Sequence, residues 1–380
     1  MKIQRAYKTE LDPNNKQCTK MGRYCGASRY VYNWGLVEWK QWYEAGKKPS
    51  HFKLCKHFNS IKDDVCPWVR EIPYAVTESA FRNLGNAFQH FFRRVKNGDK
   101  KVGYPKFKKR GQHNSFQSRN TRIENDRVRL TGIGWVRLKE HRYLPTTDSG
   151  VKFGTYATIS ERAGRWYISV QVEEEIPDPV NGSTLVVGVD FGLKALAVCS
   201  DGTVYENPHA LREAQRKLGR LQRELDRRTK GGANWRKTKT KIQRQHARIA
   251  NLRQHVLHDM SHDIIVNKHP AGVAIEDLNV SGMMSNHCLA QAIADAGFYE
   301  LRRQIEYKAK WHGVEVVMVD RWFPSSKTCS RCGCIKDDLT LDDRVFHCED
   351  CGLEIDRDYN AALNLTAIGK AETQLDCLGS

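Results

Sequence analysis

Two thiol pairs, Cys329-x2-Cys332 and Cys348-x2-Cys351, stand fifteen residues apart near the end of a 380-residue chain. Four thiolates arriving as two tight knuckles match the tetrahedral ligand set of a structural zinc ion, with no position left open for chemistry. Gly333 and Gly352 follow the second cysteine of each pair, where a knuckle needs permissive backbone. Cys334 and His347 are further donors nearby, so either can substitute in the ligand set. Four residues beyond Cys351 begins the run Ile355-Asp-Arg-Asp-Tyr-Asn-Ala-Ala-Leu-Asn364, which reads as a helix opening on carboxylates.

Two earlier acids complete a set with that helix. Asp190 ends the apolar run Val186-Val-Gly-Val, and Gly192 behind it is expected to let a substrate backbone approach. Glu276 ends Val273-Ala-Ile and is followed by Asp277; strand alternation turns these two to opposite faces, so only one can enter a shared site. Each acid has a plainer explanation: a strand end at a turn, a surface pair, or, for Asp356 and Asp358, a helix cap favoured by the macrodipole. As a set they fit phosphodiester hydrolysis by two divalent ions. Two magnesium ions held by two or three of these carboxylates would suit hard oxygen ligands and offset a like-charge cluster.

The surrounding composition agrees with a polyanionic partner. Lys and Arg number 62 against 44 Asp and Glu, a formal charge of +18, and nucleic acid is the usual partner for such an excess. With 40% hydrophobic residues and nine tryptophans the chain is a folded protein of two or three domains. No signal core or membrane span is visible, which places it in the cytoplasm, and the cysteines outside the pairs read as reduced thiols.

The elements that must position these residues alternate in type. A strand over 1–16 precedes a helix over about 16–45, with Met21, Ala27, Val31, Trp34 and Val37 on its buried face. A second helix spans about 77–95, with Ala80, Leu84, Ala87, Phe88, Phe91 and Phe92 as its apolar side. Residues 93–110 then hold nine basic residues and one acid. Pro105 and two glycines argue for an extended loop, in which Tyr104, Lys106, Phe107, Lys108, Lys109 and Arg110 form a nucleic-acid contact surface. Strand-like alternation over 115–175 implies a small antiparallel barrel, ended by the linker Pro177-Asp-Pro179. Next come a three-stranded meander over 183–207 and a basic helical hairpin over about 208–262. Fifteen basic residues against three acids over 211–254, among them Arg216, Arg220, Arg227, Lys237 and Lys241, favour contact with a phosphate backbone. A strand to Glu276, a helix over about 297–311, a strand over 314–319, the cysteine module and a final helix follow. This order is that of an RNase H-like domain.

At this level the motifs Gly188-Val-Asp-Phe-Gly192, Ile275-Glu-Asp-Leu278, Phe323-Pro-Ser-Ser-Lys-Thr-Cys-Ser-Arg-Cys-Gly333 and Asp356-Arg-Asp-Tyr-Asn-Ala-Ala-Leu-Asn364 resemble the TnpB proteins of bacterial insertion sequences. Tyr32-Asn33 and Lys101-Val-Gly-Tyr-Pro-Lys-Phe107 are similar to N-terminal segments of that family, so the resemblance covers nearly the whole chain. It implies a multidomain α/β protein. Residues 1–180 would form a wedge β-barrel with a helical recognition insert at about 16–110. Residues 181–380 would form a RuvC nuclease domain carrying the hairpin and a zinc ribbon at about 325–354. It further implies an RNA-guided DNA endonuclease of a prokaryotic cytoplasm and nucleoid, related to type V CRISPR effectors, with one monomer per guide RNA. The guide would come from a transposon end, and the N-terminal half would read a short motif beside the double-stranded target. Asp190, Glu276 and Asp358 match the family's catalytic triad, and Asp356 its supporting acid. Some relatives have lost triad residues and act as RNA-guided regulators. A guide-free RuvC-like nuclease is the other alternative.

Overall fold

The computed structural model describes residues 1–99, 102–207, 209–340 and 343–373. The chain is a mixed α/β protein of two compact units, Met1–Ile176 and Pro177–Ser380. Lys100 and Lys101 of the basic run, residue 208 of the hairpin and residues 374–380 lie outside the described residues.

The first unit opens with β1 (Lys2–Asp12), followed by α1 (Asn15–Glu44), α2 (His51–Val65) and α3 (Tyr74–Lys96). Asn14 and Gln17 form a reciprocal capping box that starts α1. The buried face of α1 runs through Met21, Tyr24, Ser28, Val31, Gly35 and Trp39, a helical repeat that leaves Val37 on the opposite side, 41% exposed. Phe92 is likewise exposed on α3, whereas Phe81, Leu84 and Phe88 are buried. Helix α2 had no counterpart in the sequence reading; only Leu54, Cys55 and Phe58 of its fifteen residues are buried. Helix α3 starts three residues before the expected 77 and ends within one residue of the expected 95. Arg93, Arg94 and Lys96 form its last turn, where cations complement the helix dipole, and Gly98 at φ 72° releases the chain.

Eight strands of this unit share one antiparallel sheet: β1 with β2 (Ser115–Ser118), β3 (Arg122–Ile123), β4 (Arg127–Leu130), β5 (Gly134–Leu138), β6 (Lys152–Phe153), β7 (Ala157–Arg162) and β8 (Arg165–Glu175). The order is β2-β7-β8-β1-β5-β4-β3, with β6 on β8. Beside the β4–β5 turn, Thr131 donates to the Ser118 hydroxyl and the Arg119 carbonyl, joining the two ends of the sheet.

The second unit builds one five-stranded sheet from β9 (Val186–Phe191), β10 (Ala195–Cys199), β11 (Val204–Glu206), β12 (Gly272–Glu276) and β13 (Glu315–Val319), in the order β11-β10-β9-β12-β13. The first three are antiparallel, and β12 and β13 run parallel to β9. Between β11 and β12 lies a hairpin of α4 (His209–Asp226) and α5 (Ala233–His262). Short helices α6 (Val280–Met283) and α7 (Ala290–Ala296) lead into α8 (Phe298–His312), which enters β13. Ile264, Ile265, Leu301 and Ile305 cover one sheet face. On the other face lies α9 (Arg357–Glu372), reached through the two-stranded β14 (Val345–His347) and β15 (Glu354–Asp356). Among the described residues no helix is long and apolar enough to cross a membrane.

Candidate active site and metal centre

Parallel register brings the first two acids together. The β12–β9 ladder pairs Ile275 with Val189, so Glu276 and Asp190 follow side by side at the same sheet edge. Asp358 arrives from the other direction, in the first turn of α9. That helix crosses β9 at Gly188, where a Cβ would sit 2.1 Å from the Ala362 carbonyl and 2.7 Å from the Thr366 amide. The Thr366 hydroxyl accepts from the Gly188 amide at 2.8 Å. A second close approach, Gly369 over Ala274 and Val186, fixes the far end of the helix. Gly188, the first residue of the Gly188–Gly192 motif, therefore sets how near α9 comes to β9. A Cβ at Gly192 would meet the Ala195 carbonyl at 2.9 Å, so the β9–β10 turn itself requires the glycine.

The electrostatics follow from this meeting. Burial first, then the charges of Asp358 and Glu276, push the Asp190 carboxyl up to about 8, with Arg357 opposing. Burial and the neighbouring Asp277 raise Glu276. Asp277 itself points away, as alternation requires. Arg321 and Arg302 bind its carboxylate and hold it well below the usual range. Asp356 caps α9, accepting from the amides of Asp358 and Tyr359 at 3.0 Å each. Arg357 holds one Asp358 oxygen at 3.2 and 3.3 Å and donates to the Thr340 carbonyl. Burial together with like charges nearby leaves Asp190 short of compensating positive charge, an electrostatic setting that divalent cations with oxygen ligands would relieve. Two clefts flank them. One of about 540 Å³ includes Asp356, Asp358 and Tyr359 in its lining, and one of about 250 Å³ includes Glu276, Phe191 and Arg321.

The four cysteines of the two pairs bring their sulfur atoms within 4.8 Å of one another, with Cys329 to Cys351 at 3.6 Å and Cys332 to Cys348 at 3.5 Å. Such spacings suit one tetrahedral ion with Zn–S bonds of about 2.3 Å. Gly333 and Gly352 take φ of 78° and 69°, closing both knuckles. Burial opposes ionisation of Cys329, yet the amides of Cys332 and Arg331 and the adjacent thiols bring it down to about 7. Cys334 lies outside this cluster, facing Asp350, and His347 is exposed.

Two asparagines join the clip to the carboxylate helix. Asn360 accepts from the Ser330 amide and donates to the Thr328 carbonyl, while Asn364 donates to the carbonyls of Ser325 and Thr328. Both are buried. Their i, i+4 spacing on the face shared with Ala361 and Leu365 is the sequence signal for this role, since buried amides require partners.

The basic residues singled out from sequence lie in two places. In the first unit Tyr104 packs edge-on against Phe88 and Phe91 at 5.4 Å, and Lys108 sits 4.2 Å over the Tyr32 ring with its backbone bonded to Asn33. Burial lowers the Lys108 amine. Lys106, Lys109 and Arg110 are exposed. In the second unit Arg216, Arg220 and Arg227 on or just after α4, and Lys237 and Lys241 on α5, are all exposed.

Comparison with known proteins decides the family. Residues 1–48 match a model described as "Helix-turn-helix domain", 167–287 one described as "Probable transposase", and 298–365 one described as "Cas12f1-like, TNB domain". A protein named "Putative RNA-guided DNA endonuclease InsQ" from Escherichia coli K12 is 35% identical, over 98% of this chain and 94% of its own. The chain belongs to the TnpB family. Another relative, "Putative RNA-guided DNA endonuclease MT2953" from Mycobacterium tuberculosis, is 32% identical over 95% of this chain and 85% of its own. Beyond the family, the Cas12f1 chain of a cryo-EM complex with sgRNA and target DNA shares the fold. Its TM-score is 0.59 at 14% identity, covering 96% of this chain and 99% of that one. The segment matching the helix-turn-helix model holds β1 and the single helix α1.

Proposed function

We propose that this TnpB-family chain is an RNA-guided DNA endonuclease that hydrolyses target DNA beside a short adjacent motif. The observation that supports the reading is that Asp190 and Glu276 end neighbouring parallel strands, with burial and then the charges of Asp358 and Glu276 raising the Asp190 carboxyl. On this reading the second unit is a RuvC domain of RNase H type, with a basic hairpin at about 208–262 and a zinc ribbon at about 325–354. The first is a wedge barrel with a helical recognition insert at about 16–110. The strand order of the second unit, three antiparallel strands followed by two parallel ones, supports the assignment.

Asp190, Glu276 and Asp358 would hold two magnesium ions. Bound there, the ions supply Lewis acidity at the phosphodiester and offset the clustered negative charge. The protein's own work is positional. Gly188 lets α9 bring Asp358 to Asp190, and Asp277 keeps Arg302 and Arg321 beside Glu276. Zinc at Cys329, Cys332, Cys348 and Cys351 braces the segment that Asn360 and Asn364 grip. In the reaction a water oxygen adds to phosphorus, one phosphorus–oxygen bond to sugar breaks, and the leaving oxygen takes up a proton.

The charge of +18 is then explained by a guide–target heteroduplex gripped through its backbone. The guide RNA would come from a transposon end, the complex would work as a monomer on double-stranded DNA, and its place is the prokaryotic cytoplasm and nucleoid. Sequencing the RNA that copurifies with the protein, then assaying magnesium-dependent cleavage with that RNA, tests the proposal. A defined RNA and guide-directed cutting, lost in Asp190→Ala while DNA binding remains, is the expected result. Cutting without RNA would favour a guide-free nuclease, and guided binding without cutting an RNA-guided regulator.

A further inference from the structure

The 540 Å³ cleft beside Asp358 contains groups that positioning the carboxylates does not explain. Lys194 lies in the β9–β10 turn, Asn207 follows β11 and Arg212 stands in the first turn of α4. Lys194 and Arg212 are exposed, and among the described residues neither is ion-paired. The Asn207 side-chain oxygen is buried and has no donor. A buried acceptor without a partner lowers stability unless something else supplies the hydrogen bond. Two free cations and one unmet acceptor around a concave site describe the complement of a particular ligand.

A nucleic-acid strand has that chemistry. Its phosphodiesters only accept hydrogen bonds and carry charge, which suits an ammonium and a guanidinium. Its bases carry amino groups that can donate to a carboxamide oxygen. A strand brought to Asp358 also meets the negative charge of Asp356 and of Glu206, which lines the same cleft. Cations at its flank relieve that repulsion. The volume lies in the range that encloses a small ligand, so the cleft takes a nucleotide or two of one strand and not a duplex.

We infer that Lys194, Arg212 and Asn207 seat the strand being cut on the Asp358 side of the centre. The two cations hold a phosphodiester next to the scissile one, and Asn207 accepts from the adjoining base. They are positioning residues for the hydrolysis, and the inference rests on the nuclease reading above.

The test uses the full chain loaded with its copurified guide RNA. Lys194→Ala and Arg212→Ala should each lower the single-turnover cleavage rate about 10-fold, and the double variant about 100-fold, as for lost charge-assisted hydrogen bonds. Target binding should stay within about twofold, because the loss falls on the chemical step. Lys194→Arg should retain most of the rate. Asn207→Ala should cut more slowly with a melting temperature no lower than wild type, since its carbonyl has no protein donor to lose. A second readout needs no turnover. Asp190→Asn complexes with 4-thiothymidine placed through the cut strand should crosslink within residues 194–212, less so in the double variant. The same crosslink to an RNA strand but not to DNA would assign the Asn207 contact to a 2′-hydroxyl and overturn the base contact. A double variant cutting within about twofold of wild type, or crosslinks confined to other segments, overturns the inference. Absence of cutting by the wild-type complex would count against the nuclease reading instead.

Discussion

Replacing Asp190 by asparagine keeps the shape of the side chain and removes its charge, and the consequence for stability has a definite sign. The Asp190 carboxyl titrates near 8 in the fold against 3.8 in the unfolded chain, so between these values the native state holds a proton that the unfolded state does not. Stability from this group is therefore greatest below about pH 4 and falls as pH rises, by ~1.4 kcal/mol per pH unit, until about pH 8. From pH 4 to pH 7 the full penalty is about 4 kcal/mol. Asp190 is only half-buried by surface area, so solvent screens part of this, leaving about 2 kcal/mol. Asparagine escapes the penalty. In magnesium-free buffer without chelator, so that zinc is retained, Asp190→Asn should melt above wild type by about 4–8 °C at pH 7. The gap should shrink to about a quarter at pH 4.5, where the folded carboxyl is protonated and the pH stands only ~0.7 above the unfolded value. Added magnesium should raise the wild-type melting temperature by mass action and affect the variant far less. Scanning calorimetry at both pH values measures all of this. Equal melting of the two proteins at pH 7, or equal stabilisation by magnesium, would refute the idea that the three acids form one strained cluster.

Gly188→Ala should destabilise the second unit by about 3 kcal/mol, since its methyl would meet backbone that cannot yield, whereas Gly22→Ala on α1 has open space and should be neutral or slightly stabilising; thermal unfolding compares them. Cys348→Ser should abolish the single zinc measured by elemental analysis and lower cleavage as well, because Asn360 and Asn364 anchor the clip to the helix that carries Asp358. Asp356→Ala should cost about 1 kcal/mol as a lost helix cap yet slow single-turnover cleavage much less than Asp358→Ala; equal losses would make Asp356 part of the centre.

Local pattern carried much of this chain. The cysteine spacing, the glycines behind each pair and the capping carboxylate of α9 are all short-range features, and each appears where spacing put it. Alternation in β12 alone was enough to separate Glu276 from Asp277. Errors arose where a face, not a pattern, decides burial. Val37 and Phe92 are apolar yet point outward, and α2 keeps Phe52 exposed while burying only three side chains, too narrow a stripe to be read by periodicity. The charged run starts inside the helix expected over about 77–95, and α3 ends at Lys96 before the extended part begins.

What the sequence by itself determined is the inventory: four thiols at metal spacing, three acids at the ends of separate elements, a large positive charge, and motifs specific enough to name a family. These survive because residue type and local spacing set ligand chemistry and backbone propensity directly. Only the tertiary structure decided which acids stand near one another. Asp190 and Glu276 are neighbours through parallel register between strands more than eighty residues apart in sequence, and Asp358 joins them because Gly188 lets a helix lie against the sheet with no side chain between. The pairing of Asn360 and Asn364 with the zinc clip, and the cleft that gathers Lys194, Asn207 and Arg212, are long-range in the same way. Such contacts depend on which surfaces pack together, and that is settled by the fold as a whole.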